Sequence, residues 1–355
     1  MKILITGGGG FIGSNLTRAL LQKDVQEILI VDNLLSADRR NIPGDPRVRF
    51  VLGSITDDRI LRELPNDLDY VFHLACYHGN QSSIADPIAD HDNNMFTSLK
   101  LFERLKDIPS LRKVVYAAAA CAVAEKTFAT ANATTEDQPI AAYHDSPYSI
   151  SKIVGELYGN YYFSRYKMPF VKARFSNVYG PGEILGAGRW RGTEHTVWRN
   201  VIPTFIWRAL NGEALPLDNG GNASRDFIFV DDIVNGLIAC AEKGQPGEVY
   251  NLATGQETTI LDLANTINRL TGNATPPAIK PARDWDRSGK RFASTEKTAH
   301  ALAFEAETSI ETGLSKTIEW TRANSDLIES CIHQHDDHMQ DLIPTNMKAL
   351  RRTGS

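Results

Sequence analysis

The chain has 355 residues, 42% of them hydrophobic and 23% charged, with a formal net charge of −5 at pH 7. This length can support a large core in two lobes. The net negative charge gives no indication of binding to nucleic acid or to an anionic membrane. No apolar run is long enough to span a bilayer. Cys76, Cys121, Cys240 and Cys331 lack the spacing of metal ligands, so we expect reduced thiols in a cytoplasmic protein.

The first half of the chain alternates between strand and helix patterns. Such alternation is typical of a doubly wound parallel sheet, the Rossmann arrangement of the α/β class. The sequence therefore predicts an α/β fold on such a sheet, with a smaller C-terminal lobe. The predicted strands are residues 2–6, 27–31, 48–52, 70–75, 113–118 and 170–175, and the clearest helices are residues 94–106 and 148–166.

A glycine-rich turn, Gly7-x-x-Gly10-x-x-Gly13, lies between the first predicted strand and a helix pattern. Glycines are needed there because the turn is tight, the backbone must approach a pyrophosphate and the helix must pack near the strand. Backbone N–H groups and the helix dipole then face the phosphates. This context predicts a dinucleotide site; a glycine-rich turn without a ligand is the alternative.

An acid at the end of the second predicted strand indicates which dinucleotide is bound. Asp32 lies roughly 20 residues beyond the glycines, where a carboxylate binds the adenosine ribose hydroxyls. A carboxylate there disfavours a 2′-phosphate, so we expect NAD as the cofactor. Arg39 and Arg40 lie nearby in the sequence and leave NADP as the alternative cofactor.

The composition of the sequence changes after Gly180-Pro181-Gly182. We expect residues 1–175 to form the dinucleotide-binding domain, with returns near residues 203–250. Residues 176–330 are expected to form the smaller substrate-binding lobe, and residues 331–355 a C-terminal tail.

Two charged segments have weaker signals. Residues 183–199 are rich in charged side chains and are expected to form a loop that covers the substrate, although a solvated loop is the alternative. His333, His335 and His338 lie among acids near the C-terminus. We expect them to be solvated, and no metal site is predicted.

Tyr148 and Lys152 are four residues apart and share a face of a predicted helix. A tyrosine has an ordinary pKa of about 10 and is a poor base at neutral pH. A nearby ammonium group and a positive nicotinamide would favour the phenolate and lower that pKa. Tyr148 could then take a proton from a substrate hydroxyl while hydride leaves the same carbon. A surface pair on an amphipathic helix is the alternative.

These motifs resemble those of the extended short-chain dehydrogenase/reductase family, which includes the nucleotide-sugar epimerases and dehydratases. The resemblance extends from Met1 to about Arg322 and implies a nucleotide-diphosphate sugar as substrate. It also implies a homodimer packed through residues 94–106 and 148–166. The matching segments are Thr6-Gly7-Gly8-Gly9-Gly10-Phe11-Ile12-Gly13, Val31-Asp32-Asn33, Phe72-His73-Leu74-Ala75, Tyr148-x-x-x-Lys152, Arg174-Phe175-Ser176-Asn177-Val178-Tyr179-Gly180-Pro181 and Arg225-Asp226-Phe227-Ile228-Phe229-Val230-Asp231-Asp232.

The resemblance also implies roles for individual residues. Asn177 is expected to contact the substrate near its diphosphate, which Arg225 and Arg283 would bind because guanidinium groups match phosphate oxygens. Asn94 is expected to be structural. The substrate would also meet His78, Asn80, Ser82 and Arg191, and the cofactor would meet Gly7, Gly10, Phe11, Ile12, Gly13, Asp32, Asn33, Ser54, Ile55, Leu74, Ala75, Cys76, Tyr148, Lys152 and Phe175.

The family's usual serine or threonine is missing near Ala119, because the segment Tyr116 to Cys121 reads Tyr-Ala-Ala-Ala-Ala-Cys. That hydroxyl normally contacts the reacting oxygen, and losing one positioned donor commonly costs ~100-fold or more in turnover. Either the chain is a weakened or altered catalyst, or Ser82, Ser83, Thr127 or a water substitutes.

Cys121 offers a sharper hypothesis. Ala120-Cys121 followed by Glu125, together with Trp190-Arg191-Gly192, is similar to the active-site segments of GDP-mannose 3,5-epimerases. Once C4 is a ketone, a cysteine thiolate could remove an acidic proton from C3 or C5. Arg191 is too basic to be the partner base; it could stabilise an enolate or bind phosphate. The alternative for Cys121 is a small buried hydrophobe.

Three functions remain open at this stage. The first is an NAD-dependent nucleotide-sugar epimerase acting through a transient 4-keto sugar, by C4 inversion or by enolisation through Cys121. The second is a dehydratase or lyase that uses the same oxidation. It is disfavoured because Ala120 and Cys121 stand where 4,6-dehydratases carry an Asp-Glu pair. The third is a catalytically quiet NAD-binding sensor, against which Tyr148 and Lys152 argue.

Overall fold

A computed structural model describes residues 1–124, 127–284 and 289–341. Glu125 and residues 342–355 of the predicted tail lie outside the described residues. In the part of the chain that is described, no helix is both long and apolar enough to span a membrane.

A seven-stranded parallel sheet forms the centre of the molecule. Its strand order, β7-β6-β5-β4-β1-β2-β3, reverses direction at β1 and confirms the predicted doubly wound α/β fold. All six predicted strands are present, and the one predicted at residues 70–75 ends two residues early. The strands are β1 (Lys2–Thr6), β2 (Glu27–Asp32), β3 (Val48–Leu52), β4 (Tyr70–His73), β5 (Lys113–Ala119), β6 (Phe170–Phe175) and β7 (Val249–Leu252).

Helices cover both faces of this sheet. Helices α1 and α8 bury apolar side chains against one face, and α2, α5 and α6 bury theirs against the other. The strands are consequently apolar on both sides, as parallel strands usually are. The helices are α1 (Phe11–Leu20), α2 (Asp58–Glu63), α3 (Asn80–Ala85), α4 (Pro87–Asp90), α5 (Thr97–Leu105), α6 (Pro147–Tyr166), α7 (Val201–Leu210), α8 (Val230–Lys243), α9 (Ile260–Thr271), α10 (Glu296–Leu302), α11 (Ile310–Ala323), α12 (Ser325–His333) and α13 (Asp336–Asp341).

A π-helical turn, His91–Phe96, precedes α5 and contains Asn94. The Asn94 amide is buried, accepts a hydrogen bond from the backbone N–H of Tyr77 at 2.7 Å, and donates to Ser151 Oγ at 3.2 Å. Asn94 thus ties this turn to α6 and to the segment after β4, which agrees with its expected structural role.

Helix α6 packs closely against side chains of the sheet because two of its residues are glycines. A Cβ atom on Gly155 would fall inside the Tyr116 side chain, and one on Gly159 would fall inside the Phe170 ring. The close approach also lets Lys152 Nζ donate a hydrogen bond to the carbonyl of Ala117, at the end of β5, at 2.8 Å. Side chains of the neighbouring strands β5 and β6 therefore set the distance between α6 and the sheet.

Beyond β6, short strand pairs and helices α7, α9 and α11 form a separate apolar cluster. The pairs join Asn177–Tyr179 with Phe227–Phe229 and Pro216–Asp218 with Ala278–Lys280. Helix α8 and strand β7 return to the central sheet. The predicted division of the chain near residue 175 stays a prediction.

Helices α12 and α13 pack on the segment 184–190. His335 is 3% exposed, and its Nε2 lies 2.8 Å from the carbonyl oxygen of Gly186. The His338 ring stacks on Trp190 with 5.0 Å between centroids. The prediction of a solvated histidine tail is wrong at His335, because α11 and α12 carry it back onto this segment.

Replacing Gly159 by alanine should lower the free energy of unfolding by about 1–3 kcal/mol, because the added methyl forces α6 away from Phe170. Urea denaturation followed by circular dichroism measures this. Ser164→Ala, an exposed change on the same helix, is the matched control. Equal stability of the two variants would contradict the packing argument.

Candidate active site

A cavity of about 320 Å³ opens at the carboxyl ends of the parallel strands. Ligands of open α/β sheets bind at this edge, where the strand order reverses. Every residue predicted to bind the cofactor lines this one cavity: Gly7, Gly10, Phe11, Ile12, Gly13, Asp32, Asn33, Ser54, Ile55, Leu74, Ala75, Cys76, Tyr148, Lys152 and Phe175.

The glycine turn leaves no room for side chains. Gly7 has a φ of 74°, and its N–H donates to Val31 O at 2.9 Å. A Cβ atom on Gly7 would stand 2.6 Å from the backbone nitrogen of Ala75, and one on Gly13 would collide with the Gly7 carbonyl. The turn therefore exposes bare backbone and the N-terminus of α1 to the cavity, as a pyrophosphate requires.

Asp32 lies beside this turn at the end of β2. Its carboxylate accepts hydrogen bonds from the N–H groups of Gly9 at 2.9 Å and Leu34 at 2.8 Å. Burial raises the pKa of Asp32, and the backbone hydrogen bonds from Leu34, Gly9 and Gly10 oppose that rise. A buried carboxyl next to a side-chain-free cradle fits the ribose and pyrophosphate of a dinucleotide.

The N-terminus of α6 holds Tyr148 at the cavity. Ser146 caps the helix, and the N–H of Tyr148 donates to Ser83 Oγ at 3.1 Å. Lys152 Nζ lies 5.8 Å from the centroid of the Tyr148 ring. The sequence-predicted pair therefore lines the same cavity as the glycine turn.

The pKa of Tyr148 shifts in the direction opposite to our expectation. Burial raises it well above its ordinary value, and the neighbouring thiols of Cys76 and Cys121 raise it further. The physical reason is that a phenolate loses hydration in this apolar wall, and Lys152 alone does not compensate for that loss. A positive charge beside the ring, such as that of an oxidised nicotinamide, would favour the phenolate.

The side-chain hydroxyls considered as substitutes for the serine missing at Ala119 lie outside the described lining of the cavity. Ala119 lines the cavity, whereas Ser82, Ser83 and Thr127 are not among the lining residues that the structure describes. The hydroxyl of Ser83 is already engaged by the N–H of Tyr148 and the carbonyl of Asn80. Cys121 does line the cavity, half-buried against the cluster that contains Ala119 and Tyr148.

A polar chain forms another part of the cavity wall. His78 Nε2 lies 3.2 Å from Asn200 Oδ1, and Asn200 Nδ2 donates to a carboxylate oxygen of Glu183. The His78 ring stands edge-on to the Tyr148 ring, with 5.8 Å between centroids. Burial lowers the pKa of His78 to about 4 and raises that of Glu183 to about 7.

Four residues that line the cavity were not predicted individually from the sequence. Asn200 and Arg291 line the cavity without having been singled out, and Glu183 and Arg199 were recognised only as members of a charged loop. The charge density of residues 183–199 was the available signal. Arg291 had no such signal in the sequence. The pairing of Phe292–Ala293 with Ala133–Thr134 holds the neighbouring segment in place.

The predicted substrate residues divide into two groups. Asn177 and His78 line the cavity, whereas Asn80, Ser82, Arg191, Arg225 and Arg283 are not among its described lining. An Arg225 Nη donates to two backbone carbonyls, and Arg283 pairs with Asp218 at 2.6 Å. Their roles at the diphosphate stay predictions.

A glycine cradle, a ribose-binding acid and a tyrosine–lysine pair on one cavity define a dinucleotide-dependent enzyme that oxidises and reduces a hydroxyl-bearing carbon. The chain belongs to the NAD dependent epimerase/dehydratase family, whose model matches residues 3–253. This confirms the predicted family and the prediction of NAD. The finer similarity to GDP-mannose 3,5-epimerases stays a hypothesis.

Several known proteins are similar over nearly the whole chain. The Bordetella bronchiseptica enzyme WbmF, crystallised with NAD⁺ and UDP, is 55% identical with a TM-score of 0.85, covering 96% of this chain and 97% of its own. The Thermotoga maritima UDP-glucose 4-epimerase with UDP-glucose is 29% identical with a TM-score of 0.82, covering 92% and 100%. A trifunctional UDP-glucose 4,6-dehydratase/3,5-epimerase/reductase of Arabidopsis thaliana is 26% identical over 91% of this chain, which spans only 47% of its length.

Glu183 predicts how stability depends on pH. Its pKa rises from 4.5 in the unfolded chain to about 7 on folding, so the folded state binds more protons in this window and stability falls as pH increases. Glu183→Gln removes this titration, and its stability relative to the wild type should improve by up to about 3 kcal/mol between pH 4.5 and pH 8.

Urea denaturation at the two pH values measures the difference. Glu305→Gln, at an exposed position, is the control and should show no such pH-dependent gain. A constant difference between the Glu183→Gln variant and the wild type across this range would show that Glu183 titrates normally.

Proposed function

We propose that the chain is an NAD-dependent UDP-sugar epimerase that inverts C4 through a transient 4-keto sugar. The observation that carries this proposal is that Tyr148 and Lys152 line the same cavity as the glycine turn and Asp32. UDP as the nucleotide is supported by the complexes of WbmF and of the Thermotoga enzyme.

In this proposal, Tyr148 takes the proton of the sugar 4-hydroxyl and later returns it. Lys152 supports the phenolate through its charge, and its hydrogen bond to Ala117 keeps the ammonium group close to the ring. NAD, when bound, supplies the hydride acceptor and the positive charge that the buried phenol lacks. Returning hydride to the other face of C4 gives the epimer.

Two residues that line the cavity are candidates for further roles in the reaction, because the usual hydroxyl is absent at Ala119. His78 stands edge-on to Tyr148 and is neutral, so it can share a hydrogen bond with the C4 oxygen. Cys121 could instead enolise C3 or C5, and its place in the cavity wall supports that second version. Inversion at C4 is favoured because it needs no base beyond Tyr148, whereas epimerisation at C3 or C5 needs further acid–base groups.

Proton NMR in D₂O tests the proposal with UDP-glucose, UDP-N-acetylglucosamine and UDP-glucuronate as substrates. We expect a C4 epimer with no deuterium in the sugar, and a loss of about 10²–10⁴-fold in rate for Tyr148→Phe, because the proton acceptor is removed. Cys121→Ser should retain the reaction.

Other outcomes have distinct meanings. Deuterium at C3 or C5 would replace simple inversion by enolisation and would point to Cys121. A product lacking the C6 oxygen would establish a dehydratase. If no sugar changes while NAD stays bound, the sensor hypothesis replaces the proposal.

A homodimer in the cytoplasm completes the proposed function. On α6, Ile150, Leu157 and Tyr161 are 46%, 52% and 52% exposed, and Phe96, just before α5, is 42% exposed. The three α6 positions follow helical spacing and form one apolar stripe. Such a stripe on neighbouring helices suits a second copy of the chain. Four free cysteines agree with a reducing compartment.

Leu157→Glu should convert the dimer to a monomer, because it places a charge in the middle of this stripe. Light scattering coupled to gel filtration measures the mass. Leu261→Glu, at another exposed leucine, is the control and should leave the mass unchanged. A wild-type monomer at micromolar concentration would refute the dimer.

A further inference from the structure

Three polar residues that line the cavity together with Tyr148 are joined by hydrogen bonds that have a defined direction. Asn200 Nδ2 donates to Oε1 of Glu183, and His78 Nε2 lies 3.2 Å from Asn200 Oδ1. A carboxylate oxygen only accepts and an amide nitrogen only donates. With its nitrogen facing Glu183, Asn200 presents its oxygen to His78, so His78 Nε2 must carry a proton. The acid thereby specifies the tautomer of the imidazole.

Asn200 serves this link instead of its usual local role. It is the N-cap residue of α7, a position where an asparagine side chain commonly accepts a hydrogen bond from an N–H of the first turn. Its side chain makes no such bond. It joins Glu183 to His78, which are 17 and 122 residues away from it in sequence. Its amide is therefore committed to the cavity wall.

The other ring nitrogen of His78, Nδ1, is left for a ligand. In a neutral imidazole with its proton on Nε2, Nδ1 can only accept a hydrogen bond. Nδ1 makes no hydrogen bond to the residues that the structure describes, and it is not one of their buried polar atoms that lack partners. It is therefore accessible. The His78 ring stands edge-on to the Tyr148 ring, with 5.8 Å between centroids.

Protonation of Glu183 lets the direction of these bonds reverse. The acid O–H then donates to Asn200 Oδ1, the turned amide donates to His78 Nε2, and the ring proton lies on Nδ1. One proton is taken up in total, on Glu183, because the imidazole exchanges its own proton with solvent and stays neutral. In this state Nδ1 donates, as the hydroxyl that is missing at Ala119 would.

Both states of Glu183 are populated near neutral pH. Burial raises the pKa of this carboxyl to about 7, and the amide of Asn200 and the charge of Arg199 oppose the rise. Arg199 forms no ion pair with it, because its Nη groups donate to the backbone carbonyls of Ser36, Ile184 and Ala187. The second oxygen of Glu183, Oε2, is buried without a partner among the described residues.

His78 stays neutral over the same range. Burial lowers its pKa to about 4, its hydrogen bond to Asn200 opposes this, and the charges of Arg191, Arg199 and Lys152 lower it further. The proton that moves with pH near 7 is consequently the proton of Glu183, and His78 responds only by changing its tautomer.

We propose that Glu183 is a positioning residue that sets, through Asn200, which nitrogen of His78 carries the proton. The form with the proton on Nδ1 donates to the C4 oxygen of the sugar, in place of the hydroxyl that is missing at Ala119. This second step rests on the proposed function, whereas the control of the His78 proton does not.

Nitrogen-15 NMR of the NAD-bound protein, labelled at histidine, locates the ring proton between pH 5.5 and pH 8.5. His78→Gln identifies the His78 signals. We expect the proton to move from Nδ1 to Nε2 as pH rises through the pKa of Glu183, about 7. Glu183→Gln keeps a hydrogen-bonding partner for Asn200 but cannot ionise, so it should abolish this response. Glu194→Gln, at an exposed acid of the same loop, is the control and should retain it.

The rate of C4 epimerisation supplies the second readout. The ratio of the wild-type rate to the rate of Glu183→Gln should fall about tenfold or more between pH 6 and pH 8.5, because only the wild type loses its donor. Taking the ratio removes the titration of Tyr148, which both proteins share. Asn200→Leu breaks the link and should abolish the pH response of the His78 proton.

Each contrary result has its own meaning. A ring proton that stays on one nitrogen of wild-type His78 overturns the proposal, and this test needs no variant. A response that survives in Glu183→Gln also overturns it, since another group would then control the proton. If the proton responds but the rate ratio is constant, the role of His78 at C4 is overturned. If the proton responds and no UDP-sugar reacts, the proposed function fails and the control of His78 by Glu183 is supported.

Discussion

The close packing of helix α6 on the sheet is the constraint on which the site depends. Gly155 and Gly159 remove the side chains that would hold the helix away from Tyr116 and Phe170. At that distance Lys152 reaches the end of β5, and the phenol one turn earlier is brought to the cavity. A larger separation would break the hydrogen bond of Lys152 and move the phenol relative to the glycine turn.

Polar groups that cost stability lie in the cavity wall and next to it. Arg191 has two buried N–H groups without partners, and Glu183 has a buried carboxylate oxygen without one. Groups of this kind lower the free energy of unfolding unless a ligand pairs with them. Both groups adjoin the polar chain of His78 and Asn200, Arg191 through the His78 carbonyl and Glu183 through the Asn200 amide.

Distant parts of the chain close that wall. Arg199 donates to the carbonyls of Ser36 and Ala187, which joins the segment after β2 to the loop before α7. Helix α12 and the residues after it hold the same loop through His335 and Gly186. The substrate side of the cavity is thus assembled from three regions far apart in sequence, whereas the cofactor side comes mainly from successive β–α turns.

The sequence alone was sufficient for the sheet, the glycine turn, Asp32 and the placement of Tyr148 on a helix. These depend on apolar periodicity and on local stereochemistry, which neighbouring residues determine. The burial of His335, the raised pKa of Tyr148 and the unpartnered N–H groups of Arg191 were decided by tertiary structure. Each depends on what packs around a side chain: Arg191 is held by a carbonyl 113 residues away. Hydration and hydrogen-bond partners across such separations leave no local pattern to read.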